Sequence, residues 1–448
     1  MNTRTRSLFL GLAVLLSSTS LAQASSFTDA LENTYSTNPT IKAERERQES
    51  TDEGVSQALA HYRPTIGLEY ERGTQSTKLA GTTADGPYEN KTLTLNEPIF
   101  RGGSTINDYQ ASKQRVLAGR AALNGTEQQV MQQAIEAYMD VVADSAILEL
   151  ARNNEGVLDK QLGASNERFK VGEVTRTDVS QSQARLSSAK SDVISAEGQL
   201  ISSIAVFQKV IGYKPEGKLD VPDQFPEIPA NLDEALTKAR SASPQLLEAI
   251  HTAKSAKFDA RKDIGDILPQ VALIGTMERQ DNVGYLGGDS NYQDDSIGVR
   301  VSIPLYQSGA EWSRVREAKA EARQRQHQAM DTQQLVEQRV TQAWEELETA
   351  TATIKARQDQ IKADETAVEG VKQEQEYGAR TILDVLDAQQ ELFSARTGLV
   401  RAQRDRVVAA YNLAMNLGDL TPQNLGLKVA QYDSTEHYGD VKNQLIGY

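Results

Sequence analysis

The chain contains no cysteine among its 448 residues. Disulfides, thiolate nucleophiles, cysteine metal sites and cysteine-linked lipid anchors are therefore excluded. Aromatic residues make up 6% and hydrophobic residues 39% of the chain, which is little for a large globular core. Beyond the first residues there is no run of about twenty apolar residues, so no transmembrane helix is expected. Basic residues are in deficit, 48 against 62 acidic ones. The resulting net charge of −14 has the wrong sign for a nucleic-acid partner. The four histidines, His61, His251, His327 and His437, share no ligand spacing and read as surface residues. No Gly-x-Ser-x-Gly, Walker or metal-binding signature is present. Neither an enzyme nor a cofactor or metal site is expected.

What the chain does have begins at its N-terminus. Arg4 and Arg6 precede the short apolar run Leu8–Leu16, and Ala22-Gln23-Ala24 has the small-x-small form of a cleavage site. Residues 1–24 read as a secretory signal peptide, too short to anchor stably in a bilayer. The mature chain is expected to start near Ser25, with 46 basic and 62 acidic residues. An exported chain without apolar helices can cross a membrane only as strands.

The rest of the chain is duplicated. Asp29-Ala30-Leu31 matches Glu234-Ala235-Leu236, and Pro64 matches Pro269, at an offset of 205 residues. Pro98-Ile99-Phe100 matches Pro304-Leu305-Tyr306 at an offset of 206. Gly172, Thr175, Asp178 and Val179 match Gly378, Thr381, Asp384 and Val385 at the same offset. Matches that include Pro and Gly and hold register over the whole chain mark two copies of one structural unit. The first unit spans 25–212 and the second 231–418, joined by a linker, 213–230, whose four prolines exclude a helix. Residues 419–448 form a polar C-terminal tail, expected to be peripheral or disordered.

Each unit has the same expected order. Helices 26–60 and 232–267 come first. Strand pairs follow at about 64–72 with 91–100, and about 269–278 with 296–306. Long helices 104–170 and 310–376 lead through Gly-containing turns to helices 174–211 and 380–417. In the strands, Ile66, Leu68 and Tyr70 alternate with polar residues, as do Leu93 and Leu95. Val299, Val301 and Ile303 alternate with Gly298, Arg300 and Ser302. This period of two, over roughly nine or ten residues, suits a tilted membrane strand. It equally suits a soluble hairpin, and export is what favours the membrane. The connections 73–90 and 279–295 are polar and read as exposed loops. Four strands cannot close a membrane barrel, whose smallest forms have about eight. A membrane barrel must then be shared between chains, and two or three copies both remain open.

The helices carry heptads: Val179, Leu186, Val193, Leu200, Phe207, and likewise Val340, Leu347, Ile354, Ile361, Val368. Such seams indicate coiled-coil packing. The segments 104–170 and 310–376 lack proline, and 67 helical residues reach about 100 Å, several times a bilayer core. That length suits an aqueous gap. At the turns, Gly172 and Gly378 end one helix, and Thr175 with Asp178 and Thr381 with Asp384 cap the next. The second turn adds Arg380 and Asp387, whose counterparts are Val174 and Gln181. Asp384 and Asp387 lie three residues apart, on one helix face. In a symmetric oligomer they would form rings that select cations.

The Gly-x-x-Thr-x-x-Asp turns, the run Arg380 to Asp387, the strand ends Pro-Ile-Phe-Arg-Gly-Gly and Pro-Leu-Tyr-Gln-Ser-Gly, and the duplication together resemble the TolC family of outer membrane efflux and secretion channels. The resemblance covers nearly the whole mature chain. It implies a mixed α and β membrane protein: a homotrimer with a shared 12-stranded β-barrel and a long coiled-coil α-helical barrel in the periplasm. It implies a passive duct for multidrug efflux or type I protein secretion. Its partners would be a periplasmic adaptor protein, an inner-membrane pump of ABC, RND or MFS type, and outer membrane lipid. Carried over to this sequence, Asp384 and Asp387 line the closed periplasmic aperture. Arg380 and Asp178 hold it shut, and Phe169, Gly172, Thr175, Gly378 and Thr381 belong to adaptor-docking turns. The family often has an aromatic residue at the position of Gln375, whereas Phe169 keeps it in the first unit. The competing reading, a periplasmic adaptor of the same machinery, would need more strands and no end-to-end duplication.

Overall fold

The computed structural model describes residues 26–79, 81–222, 225–281 and 291–445. The expected signal peptide lies outside the described residues. The first unit contains helices α1 (Phe27–Thr37) and α2 (Pro39–Ala60), strands β1 (Thr65–Leu79) and β2 (Thr82–Arg101), and helices α3 (Ser104–Lys170) and α4 (Arg176–Ile211). The second contains α5 (Leu232–Ala242), α6 (Pro244–Gly265), β3 (Gln270–Asp281), β4 (Tyr292–Ser302), α7 (Ala310–Glu376) and α8 (Ile382–Leu417). A short helix, α9 (Glu436–Val441), lies in the tail.

Three expectations need correction. The first helix of each unit is two helices, because Pro39 and Pro244 each open a new one and lack the N–H that a continuous helix would use. Asn38 caps the second of them, its side chain accepting from the Thr40 N–H at 2.9 Å. The strands extend into the supposed loops: β1 and β2 pair from Thr65↔Asn96 out to Leu79↔Thr82, so most of 73–90 is hairpin. Polar residues are tolerated there because these strand ends project beyond the apolar band. Residues 282–290 of the second connection are outside the described residues. The tail is docked, not peripheral. It buries Leu420 and Leu427 in the core, and its backbone runs along α1 and α2. The Lys428 N–H donates to Glu32, the Tyr432 hydroxyl to Glu49 at 3.0 Å, and Arg63 to the Gln444 carbonyl at 3.0 Å.

The four strands form one antiparallel sheet in the order β1-β2-β3-β4, leaving β1 and β4 as open edges. The long helices pair as hairpins, α3 with α4 and α7 with α8. The densest core lies midway, where Tyr138, Phe207, Met131 and Ile135 are almost fully buried with residues of α1, α8 and the linker. Phe27 meets Tyr138 edge-on at 5.2 Å. Away from this belt the hairpins hold only small clusters. Every residue of the two heptad runs above is buried or half-buried. In the matching run on α8 the odd member is Arg406, whose guanidinium stacks on Phe225 at 4.9 Å.

Candidate functional site

Two regions carry unusual geometry: the sheet at one end and the hairpin tips at the other. In the sheet, register aligns the apolar residues. Ile66 faces Leu95, Leu95 faces Gly275, and Gly275 faces Ile297. The next row is Leu68, Leu93 and Met277, and on the other side Leu273 faces Val299. All share one side of the sheet, because neighbouring residues of a strand alternate sides. Thr65, Gly67, Glu69, Thr92, Thr94, Thr276 and Arg300 occupy the other. Ile66, Leu68, Ile297, Val299 and Val301 are 58–76% exposed. An apolar face this exposed in water would be costly, whereas in hydrocarbon it is favourable. Exposed Tyr70 sits beyond one end of the band on the apolar face, and Phe100 and Tyr306 beyond the other end. Aromatic girdles of this kind flank membrane strands. No helix among the described residues is long and apolar enough to cross a membrane.

The joint between sheet and helices is tight. Gly102 has φ +61°, and a Cβ there would lie 2.0 Å from the Gly265 carbonyl oxygen. Only glycine allows the β2–α3 connection to cross α6 so closely.

At the far end, the two turns are built alike. Gly172 and Gly378 take φ of +81° and +78°. The Glu173 N–H reaches the Arg168 carbonyl at 2.9 Å and the Ala379 N–H reaches that of Glu374 at 2.8 Å. These bonds satisfy the last carbonyls of α3 and α7. Each following helix opens with a capping box. The Asp178 N–H donates to the Thr175 hydroxyl oxygen at 3.3 Å, and the Thr175 N–H to Asp178 at 2.8 Å. Thr381 and Asp384 repeat this at 3.3 and 2.8 Å. Hydrogen bonds from the Thr381 hydroxyl and N–H, helped by Arg380, hold the Asp384 carboxyl below its ordinary range. Phe169, Val171, Tyr377 and Leu383 are exposed at the tips.

The residues expected to act together are distributed otherwise within the chain. Arg380 donates to Glu374 at 3.0 Å and lies 4.0 Å from Asp384. Asp178 stays in its own cap, so the chain does not by itself join Arg380 to Asp178. Asp387 is paired with Arg185 of α4, across the two units. Gln375 accepts from Arg168 at 3.1 Å, a second link between units. Beneath these links Leu158, Leu186 and Ala189 pack on Ile382 and Leu386. Sequence reasoning missed Arg168, Arg185 and Glu374. The repeat held the signal: Arg168 corresponds to Glu374 and Arg185 to Glu391, two places where the units carry opposite charge.

Two of the histidines, His251 and His437, also need correction, whereas His61 lies at the surface as expected. His61 is hydrogen-bonded to Asp108 at 3.0 Å and His251 to Gln114 at 2.9 Å, while His437 is half-buried 3.6 Å from Asp52. Packing of α2, α3, α6 and the tail supplies partners that lie far away in sequence. His327 is exposed. Among the described residues no group of acidic and histidine side chains could hold a metal ion.

Comparison with known proteins points the same way for family and fold. The sequence pattern of the family described as "Outer membrane efflux protein" matches twice, over residues 30–212 and 235–419. The outer membrane efflux protein BepC of Brucella suis is 34% identical over 440 residues, covering 97% of this chain and 95% of its own. The alkaline protease secretion protein AprF of Pseudomonas aeruginosa is 23% identical over 420 residues, 91% of this chain and 86% of its own. The structure of the Campylobacter jejuni CmeC outer membrane channel superposes with a TM-score of 0.79 at 15% identity, over 92% of this chain and 88% of that one. With a sheet that has one lipid-suited face, helical hairpins whose longer arms reach about 100 Å and a family pattern matched in both units, the chain belongs to the outer membrane efflux protein family.

Proposed function

We propose that this protein, after removal of residues 1–24, forms a homotrimeric passive duct from the periplasm across the outer membrane. The observation that carries the proposal is the four-stranded sheet with an apolar face, a polar face and two open edges. Unpaired backbone edges are not tolerated in hydrocarbon, so the sheet is completed by other copies. Three copies give twelve strands, wide enough for an aqueous channel lined by the polar face. The hairpins then form a tunnel whose tips close around Asp384 and Asp387. These carboxylates face cations arriving from the periplasm, and the links of Arg380 and Asp178 hold the tip shut. The exposed apolar residues at the turns around Phe169, Gly172, Thr175, Gly378 and Thr381 receive a periplasmic adaptor, which couples the duct to an inner-membrane pump. The cargo is a small molecule or a secreted protein. BepC is named for efflux and AprF for protease secretion.

Recording from purified protein in planar bilayers tests this reading. Discrete channels are expected, and Asp384→Ala with Asp387→Ala is expected to raise single-channel conductance severalfold and to weaken block by divalent cations. Unchanged currents would remove these carboxylates from the gate. Protein that gives no channels, or that fractionates with soluble periplasm, would defeat the duct itself.

A further inference from the structure

Beneath the sheet, the helices of the second unit sort their charges by side. Here α2, α3, α6 and α7 pack each on the next. On one side, Leu247 and His251 of α6 line a cleft with Gln431 and Tyr432 of the tail. A tail inside the bore would plug the duct proposed above, so this side is the outside. Lys254, Phe258 and Arg261 continue from His251 on the same face of α6 at spacings of three, four and three, with Lys257 beside them. On the other side, Asp259 of α6 lines a cleft with Arg47, Arg115, Glu321 and Arg325. Asp263 and Asp266 follow Asp259 at spacings of four and three. On α7, Glu317 and Glu321 share the bore side, whereas Trp312, Arg316, Lys319 and Arg323 form an outer stripe at spacings of four, three and four. The repeat counterpart of Arg323 is Leu117 of α3, which lines the tail cleft. The six outer cations make no hydrogen bond or ion pair among the described residues, and all are exposed. Arg261 stacks on Phe258 at 5.5 Å.

The first unit lacks this basic strip. The counterparts of Lys254, Lys257 and Arg261 are Glu49, Asp52 and Ser56, and the tail covers them. The Tyr432 hydroxyl donates to Glu49 at 3.0 Å, His437 lies 3.6 Å from Asp52, and the Ser56 hydroxyl donates to the Gln444 carbonyl at 3.5 Å. The face of the second unit has no such cover among the described residues.

We propose that this open basic face binds the headgroups of anionic phospholipid, in the leaflet on the helix side of the membrane. Continuity points to lipid. The apolar face of the sheet leads through exposed Ile303, Leu305 and Tyr306 to Trp312, which is 54% exposed and suits the membrane interface. Charge points to an anion, in a chain whose net charge is −14. At about 1.5 Å per residue, Arg261, Arg316 and Lys319 lie about 6, 9 and 14 Å from the sheet ends of their helices. The side chains of α7 lean toward its N-terminus, hence toward the membrane, and their long stems carry the charged heads into the headgroup layer. Lys254 and Arg323 lie about 16–20 Å down, below a headgroup layer about 5–8 Å thick. The assignment rests on the duct reading, which sets the outside.

Native mass spectrometry of the full chain in detergent, with phosphatidylglycerol or phosphatidylethanolamine added, tests the site. The wild type is expected to retain phosphatidylglycerol at least fivefold over the zwitterionic lipid. Arg261→Glu with Arg316→Glu and Lys319→Glu should cut that retention at least fivefold. The milder Arg316→Gln with Lys319→Gln should cut it at least threefold, even if the triple variant fails to fold. Arg316→Lys with Lys319→Arg should keep it, and Lys254→Glu with Arg323→Glu should lower it less than twofold. Equal retention of the two lipids, or retention indifferent to the substitutions near the sheet, overturns the site. Displacement by millimolar inorganic phosphate would assign the strip to a free anion, and an equal loss from the deep pair would assign it to an extended anionic partner. Either result overturns the lipid assignment. Channel recordings separate the site from the duct. A triple variant that conducts but has lost its lipid upholds both, whereas wild-type protein that binds lipid in this pattern and gives no channels defeats the duct and keeps the site.

Discussion

The helices α3 and α7 are repeat-related and equally long at 67 residues, yet α3 buries 24 of them and α7 seven. Ancestry gave both the same length and the same place in their units. Their surroundings differ. The midpoint of α3 is enclosed by α1, α2, α4, α6 and α8 with the linker and tail, whereas α7 packs along α5, α6 and α8 and meets α3 at its tip through Gln375. A helix without an apolar all-round surface can stand so exposed only if its seam is narrow. Mean burial thus separates a helix that supports the chain's own fold from one whose remaining surface is available to another molecule.

The contrast can be broken by substitution. The largest effect is expected in the belt around α3, where Tyr138→Ala should cost about 3–5 kcal/mol in thermal or denaturant unfolding followed by helical signal. Met330→Ala, on exposed α7, should stay within about 0.5 kcal/mol. Comparable losses at both sites would mean that α7 is supported by contacts within the chain that its exposure hides. The strands should behave alike in the two units. Leu68→Arg and Val299→Arg are each expected to cost about 2–4 kcal/mol of membrane stability, while Thr94→Arg on the polar face should cost far less. Equal penalties on both faces would show that the apolar band does not meet lipid. The smallest effects lie at the tips. Thr175→Ala and Thr381→Ala should each cost about 1 kcal/mol through loss of a cap, read as faster amide exchange in the first turns of α4 and α8. The Asp384 carboxyl is lowered by folding, so its contribution is present above the ordinary carboxylate range and lost as pH falls through its folded pKa. Exchange at the start of α8 should therefore quicken on acidification, and Asp384→Asn should flatten that response.

Much of the fold was legible because local chemistry repeats in the chain. Glycines at 172 and 378 need a positive φ, and the Thr-x-x-Asp boxes satisfy free N–H groups; both are properties of a few adjacent residues. The breaks at Pro39 and Pro244 were equally visible as prolines, but a proline also suits the first turn of a helix, so the sequence did not say that a new helix starts there. The strand ends were hidden because polar residues beyond a lipid band look like loop. The docked tail was hidden because its polar residues are satisfied by Glu32, Glu49 and Arg63, nearly 400 positions away.

The candidate site divides in the same way. The sequence by itself determined the duplication, the two caps, the alternation of the strands and the excess charge of the second turn, because each depends on spacing along one segment. Only the tertiary structure decided that Asp387 meets Arg185, that Gln375 meets Arg168 and that Arg380 turns to Glu374. The pairings of Asp387 and Gln375 depend on which flanks of the two hairpins face each other, set by the packing of Leu158, Leu186, Ile382 and Leu386 between them, and that of Arg380 on the geometry of its own turn.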